Sequence, residues 1–122
     1  MIIALWIVQA LLALMFGMAG VTKLSQPKEK LAVNLPWVED FSPGTVRLIG
    51  ALELLAALGL ILPLLTGMLP GLTAWAAVGL VAIMIGAAVT HARRKEPRAI
   101  AFNLALLALA AFVAVGRFTV GV

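Results

Sequence analysis

The run Leu48-Ile49-Gly50-Ala51-Leu52-Glu53-Leu54-Leu55-Ala56-Ala57-Leu58-Gly59-Leu60 decides how this chain is read, because a single carboxylate stands inside an otherwise apolar stretch. Continued to Leu65, the run is long enough to cross a hydrocarbon core of about 30 Å as a helix rising about 1.5 Å per residue. An ionisable group at that depth costs about 2.5 to 3.5 kcal/mol on insertion scales unless it is paired, neutralised or hydrated. Glu53 therefore marks a functional or assembly site.

Three further apolar runs flank this one: Ile2 to Thr22, interrupted by Gln9; Leu72 to Val89; and Ala99 to Val115, interrupted by Asn103. With 64% apolar residues and a mean hydropathy of +1.16, the chain reads as an integral membrane protein. The first run has no basic segment before it, and Lys23, Lys28 and Lys30 follow it, so it reads as a retained helix and not a secretory signal. The expected fold is all-α: one transmembrane four-helix up-and-down bundle over residues 1–122, with helices at about 2–23, 44–65, 70–91 and 98–118. The connections Thr66 to Gly71 and His91 to Arg98 are tight turns between antiparallel helices. The first loop is longer and is divided by Pro27, Pro36 and Pro43. Its apolar set, Leu35, Trp37, Val38 and Phe41, predicts a short interfacial segment, and Ser42-Pro43 predicts the N-cap and first position of the following helix.

The net charge of +4 would point to nucleic acid in a soluble protein, but here the basic residues flank membrane spans, and no nucleic-acid partner is expected. Lys23, Lys28, Lys30 and Arg47 lie in the first loop and Arg93, Arg94, Lys95 and Arg98 in the third, against Arg117 alone at the opposite end. This bias predicts a bacterial cytoplasmic membrane protein with loops 1 and 3 cytoplasmic and both termini outside. Trp6 and Trp75 read as anchors at the outer interface and Trp37 as one at the inner. Arg93, Arg94, Lys95 and Arg98 read first as this topology signal and second as a docking patch for anionic lipid or an acidic partner.

With no cysteine, the chain has no disulfide, no thiol redox chemistry and no thiolate metal ligand. One histidine, His91, cannot supply a haem axial pair or a metal-ligand set, and Met15, Met18, Met68 and Met84 read as packing residues, so no metal is expected. No activated nucleophile or phosphate-cradling loop is visible, and enzymatic activity by this chain alone is not expected.

Four polar residues converge on one end. Glu53 lies six residues past Arg47, about 9 Å into its helix. Lys23 ends the first helix, His91 ends the third, and Asn103 lies near the start of the fourth. These four form the candidate ligand- or proton-binding site. For Glu53 two readings stand level: a buried pair with Lys23 or a hydrogen bond to His91 or Asn103 that fixes helix order, and a carboxylate that binds a proton or a ligand. Lys23 reads as a snorkelling interface residue, His91 as structural or interfacial, and Asn103 as an interhelical hydrogen-bonding residue. Small residues provide for close packing: Ala13, Gly17 and Gly20; Gly50, Ala57 and Gly59; and Gly79, Ala82 and Gly86. Gly50 and Ala57 share Glu53's face, which turns the carboxylate inward.

The order and spacing of Gly17-x-x-Gly20-x-x-Lys23-Leu24, Arg47-x-x-Gly50-x-x-Glu53-Leu54 and Gly86-Ala87 followed by His91 resemble the DoxX-like family of small bacterial membrane proteins over nearly the whole chain. The resemblance implies a link to membrane oxidoreductase complexes, among them a thiosulfate:quinone oxidoreductase, while distant relatives act as assembly factors. It supplies no catalytic set to carry over. The first expectation is thus an accessory subunit that binds a quinone or lipid and docks a membrane or soluble oxidoreductase subunit or a second copy of itself. The alternatives are a scaffold or assembly factor without a ligand and, ranked behind, a proton-coupled exporter like the small multidrug resistance transporters. Those transporters carry their glutamate in the first helix, where this chain has none.

Overall fold

The computed structural model describes residues 1–69 and 71–119. Its helices are α1 (Ile2–Ser25), α2 (Lys28–Asn34), a 3-10 helix (Pro36–Asp40), α3 (Pro43–Thr66), α4 (Leu72–Arg93) and α5 (Pro97–Thr119). Helices α1, α3, α4 and α5 have 22 to 24 residues each and are apolar enough to cross a membrane. They pack in chain order around a ring that α5 closes against α1, giving the expected all-α bundle. The four long helices begin at Ile2, Pro43, Leu72 and Pro97. Pro70, where the third span was expected to begin, lies outside the described residues.

Local signals set the ends of α3. Ser42 Oγ accepts a hydrogen bond from the Thr45 backbone N–H at 3.2 Å, with Pro43 at the first helical position. At the other end Gly67 takes a left-handed conformation, φ +72°, that stops the helix. Pro63 lies inside α3 and has no N–H, which deprives the Gly59 carbonyl of its usual partner four residues on. Thr73 of α4 donates its hydroxyl to that carbonyl at 3.0 Å, so the gap in one helix becomes a tie to the next.

Packing around the ring is uneven: α1 with α3 and α4 with α5 form the extensive pairs, and α1 meets α5 least. Glycine explains the first pair. A Cβ on Gly20 would stand 2.6 Å from the Gly50 carbonyl oxygen and 2.8 Å from the Leu54 nitrogen, and one on Gly50 would stand 2.7 Å from Lys23 Cβ. Only backbones without side chains approach so closely, which is how helices associate where hydrophobicity gives no drive. Gly59 is similarly tight against Ala76, at 2.9 Å. Gly79 and Gly86 do not serve this purpose, since a Cβ on either would meet nothing within 4 Å. The core is built from Leu12, Phe16, Leu60, Leu80, Ala110 and Val113. Met84 is buried in that core, whereas Met15, Met18 and Met68 are exposed on the bundle.

Candidate functional site

The first loop supplies one wall of the site. Its two short helices gather Leu31 and Val38 against Val46 of α3, with Leu35, Trp37 and Phe41 around them. The apolar set expected at the membrane surface thus turns toward the bundle, where Leu35, Pro36, Trp37 and Phe41 border a cavity of about 920 Å³. The cavity lies between the α1–α3 pair and the α4–α5 pair at the basic-loop end. Lys23, Glu53, His91 and Asn103, one from each long helix, all stand on its wall.

Lys23 Nζ and Glu53 Oε1 are 2.6 Å apart, with the two residues only 7% and 4% exposed. The expectation that Lys23 snorkels to the interface is not met, because its stem lies over Gly50 on the face turned to α3. Its ammonium, 5.5 Å from the Trp37 ring centroid, is directed to the carboxylate instead of to water. Of the partners open to Glu53, the structure selects Lys23. A buried pair of this kind is costly to break, since removing one member leaves the other uncompensated.

Asn103 does not reach Glu53. Its Nδ2 donates to Met84 Sδ at 3.6 Å, and because a thioether only accepts, the amide oxygen is the atom left over. That Oδ1 is buried without a hydrogen-bond partner among the described residues.

His91 is drawn away from Glu53 by a backbone device. Lys95 takes a left-handed conformation, φ +57°, and the backbone N–H groups of Lys95 and Glu96 bond back to the carbonyls of Ala92 and His91. This hairpin returns Glu96 over the helix end, where its Oε1 accepts from His91 Nδ1 at 2.7 Å. The hydrogen bond from His91, helped by the Arg94 charge, holds the Glu96 carboxyl below its ordinary range.

The four basic residues of this turn divide by role. Arg94 extends Nη1 to Asp40 Oδ1 at 3.0 Å and Nε to Glu96 Oε1 at 3.5 Å, so it ties the first loop to the third and is not part of an open patch. Asp40 also holds the Arg94 guanidinium firmly protonated. Arg98 stands on the cavity wall, and Arg93 and Lys95 are exposed. Among the motif glycines, Gly20 and Gly50 form the α1–α3 crossing, Gly17 meets Ala57 in ordinary contact, and Gly86 lines the cavity. Arg47 is exposed at the start of α3, outside the constellation.

A second polar cluster, not anticipated, lies at the opposite end. Gln9 is fully buried; its Nε2 donates to the Leu60 carbonyl at 2.6 Å, and its Oε1 accepts from Arg117 Nε at 2.7 Å. The Arg117 guanidinium also lies 5.5 Å from the Trp6 ring centroid, so this tryptophan serves as a cation-π partner. The interruption at Gln9 was the available signal, but its partner lies 108 residues away in sequence.

No curated protein and no solved structure matches the chain. The model of the DoxX-like family matches residues 7–113, the span that contains the glycine crossing, the Lys23–Glu53 pair and the cavity. This multi-pass membrane protein belongs to the DoxX-like family.

Proposed function

We propose that the cavity holds a hydrophobic small molecule with a polar head, a quinone or a lipid, and that the protein serves as an accessory subunit of a quinone-linked oxidoreductase system in the bacterial cytoplasmic membrane. The observation that carries this reading is the cavity itself. Its volume of about 920 Å³ falls in the range of small-molecule sites, about 300 to 1,000 Å³, and its mostly apolar wall bears a few convergent polar groups, the usual composition of such sites. Lys23, Glu53, His91 and Asn103 would face the head, and Met15, Phe16, Phe102 and Leu106 would line the tail. The charge bias of the loops favours a cytoplasmic position for this end. There exposed Arg93 and Lys95 offer cationic side chains to an acidic face of a soluble partner or to anionic lipid.

The test is native mass spectrometry with solvent extraction of the detergent-purified protein, comparing wild type with Gly86→Leu. This substitution fills the cavity at a place where a Cβ meets nothing, whereas Glu53→Gln would strand Lys23 and test the fold together with the ligand. The expected result is a specific small molecule bound to wild type and lost from Gly86→Leu at unchanged thermal stability. An empty wild-type bundle would sink the reading in favour of a scaffold that works by gripping other proteins.

A further inference from the structure

From the way the first loop is attached, we infer that residues 27–41 form a hinged lid over the cavity, latched by the Asp40–Arg94 ion pair, and that access from the basic-loop end requires the latch to open. The inference rests on reading the cavity as a binding site. Leu35, Pro36, Trp37 and Phe41 wall the cavity at its basic-loop end, so the segment stands in the way of entry from there.

Its attachments are those of a movable part. At one edge Gln26 and Pro27 are extended, with φ/ψ of −108°/144° and −67°/155°. At the other, Phe41 and Ser42 are extended at −128°/155° and −70°/156°. Neither junction continues a helix, and a few non-helical residues at element ends are where hinges absorb rotation. Between the junctions Leu31 and Val38 share a small core with Val46 of α3, and the Trp37 and Phe41 rings pack edge to face with centroids 5.8 Å apart. The segment is therefore held together as one body and seated on α3.

A single polar tie joins this body to the α4–α5 half among the described residues. Asp40, at the end of the 3-10 helix, meets Arg94, in the α4–α5 turn 54 residues later. Arg94 is held in place by Glu96, which is held by His91, so the latch is anchored on the cavity wall itself. With side chains 24% and 46% exposed, the pair is only a weak tie, which suits a contact that opens and closes. Beneath the segment the Lys23–Glu53 pair is buried, with the Trp37 ring centroid 5.5 Å from the ammonium.

The absence of cysteine allows a direct test, since one introduced thiol is the only one present. Gly86→Cys puts that thiol on the cavity wall in open space, and Ala99→Cys provides a second reporter should the first disturb folding. The protein is set in lipid nanodiscs and treated with an anionic, membrane-impermeant methanethiosulfonate, and the labelling rate is compared with and without Asp40→Asn. Loss of a partly exposed ion pair is expected to speed labelling about threefold, and Asp40→Glu is expected to leave the rate unchanged. A thiol introduced at exposed Lys95 serves as a control for reagent reactivity and is expected to label equally in both backgrounds. A cavity thiol whose labelling rate is unchanged by Asp40→Asn overturns the lid. The readout is access and not occupancy: a failed lid with a molecule still bound in the mass spectrum leaves the binding reading standing, and an empty cavity behind a working lid removes the ligand alone.

Discussion

At the end that carries the termini, Gln9 bonds to Leu60 and Arg117 and Thr73 bonds to Gly59, so polar contacts link α1 to α3, α1 to α5 and α3 to α4. At the basic-loop end, Lys23 and Glu53 join α1 to α3, and Asn103 and Met84 join α5 to α4. There, among the described residues, the one polar tie from the α1–α3 half to the α4–α5 half passes through the first loop, at Asp40–Arg94. The comparison shows why one end is solid and the other hollow. Where polar side chains bridge the two helix pairs, the pairs close. Where Lys23 bonds to Glu53 and Asn103 to Met84, each within its own pair, the pairs stand apart and about 920 Å³ remains between them.

The comparison is tested most strongly at the hollow end. Lys23→Met leaves Glu53 buried without its counter-charge and is expected to cost about 3 to 5 kcal/mol, read as a lowered midpoint of unfolding in detergent. Adding Glu53→Leu should recover most of that loss. A double variant as unstable as Lys23→Met would show that the pair does more than satisfy itself.

Next in size is Gly20→Ala, whose Cβ would meet backbone of α3 that has little room to shift, with an expected cost of about 3 kcal/mol. At the solid end, Gln9→Leu removes the acceptor of Arg117 Nε and should cost about 2 kcal/mol. A molecule bound in the cavity should be retained in that variant. Its loss would show that the two ends are not independent. Gly86→Ala should instead gain about 0.5 to 1 kcal/mol, since a helical glycine is replaced in open space.

The smallest effect concerns pH. Because the Glu96 carboxyl is held below its ordinary value of 4.5, its contribution is fully present above that pH and is lost as pH falls through the lower folded value. Amide exchange over residues 91–98 should therefore quicken only below pH 4.5, and Glu96→Gln should remove that dependence.

Much of this was legible beforehand, because crossing a membrane is mainly a matter of length and hydropathy. Four apolar runs and eight clustered cations indicate the bundle and bring Lys23, Glu53, His91 and Asn103 to one level. Their pairing was less legible, since it depends on how neighbouring helices are rotated and shifted. Lys23 faces α3 because Gly50 admits its stem, a matter of contact between helices and not of sequence spacing. His91 meets Glu96 through a left-handed lysine, a conformation that residue type does not announce. Gly20 and Gly86 have the same residue type and opposite duties, one allowing backbones to touch and the other leaving space. The Gln9–Arg117 contact joins the first helix to the last, and the sequence carried only the interruption at Gln9.

The buried Gln9 has a mechanical consequence. It makes the bundle a pair of tongs with its rivet at one end, and Lys23 lies 14 residues further along α1, a lever arm of about 20 Å. A spread of about 3 Å between the jaws is then a tilt of under about 10°, small enough to leave the rivet's hydrogen bonds intact. Were a molecule to sit between the jaws, its size would set the angle between the two helix pairs at the loop end.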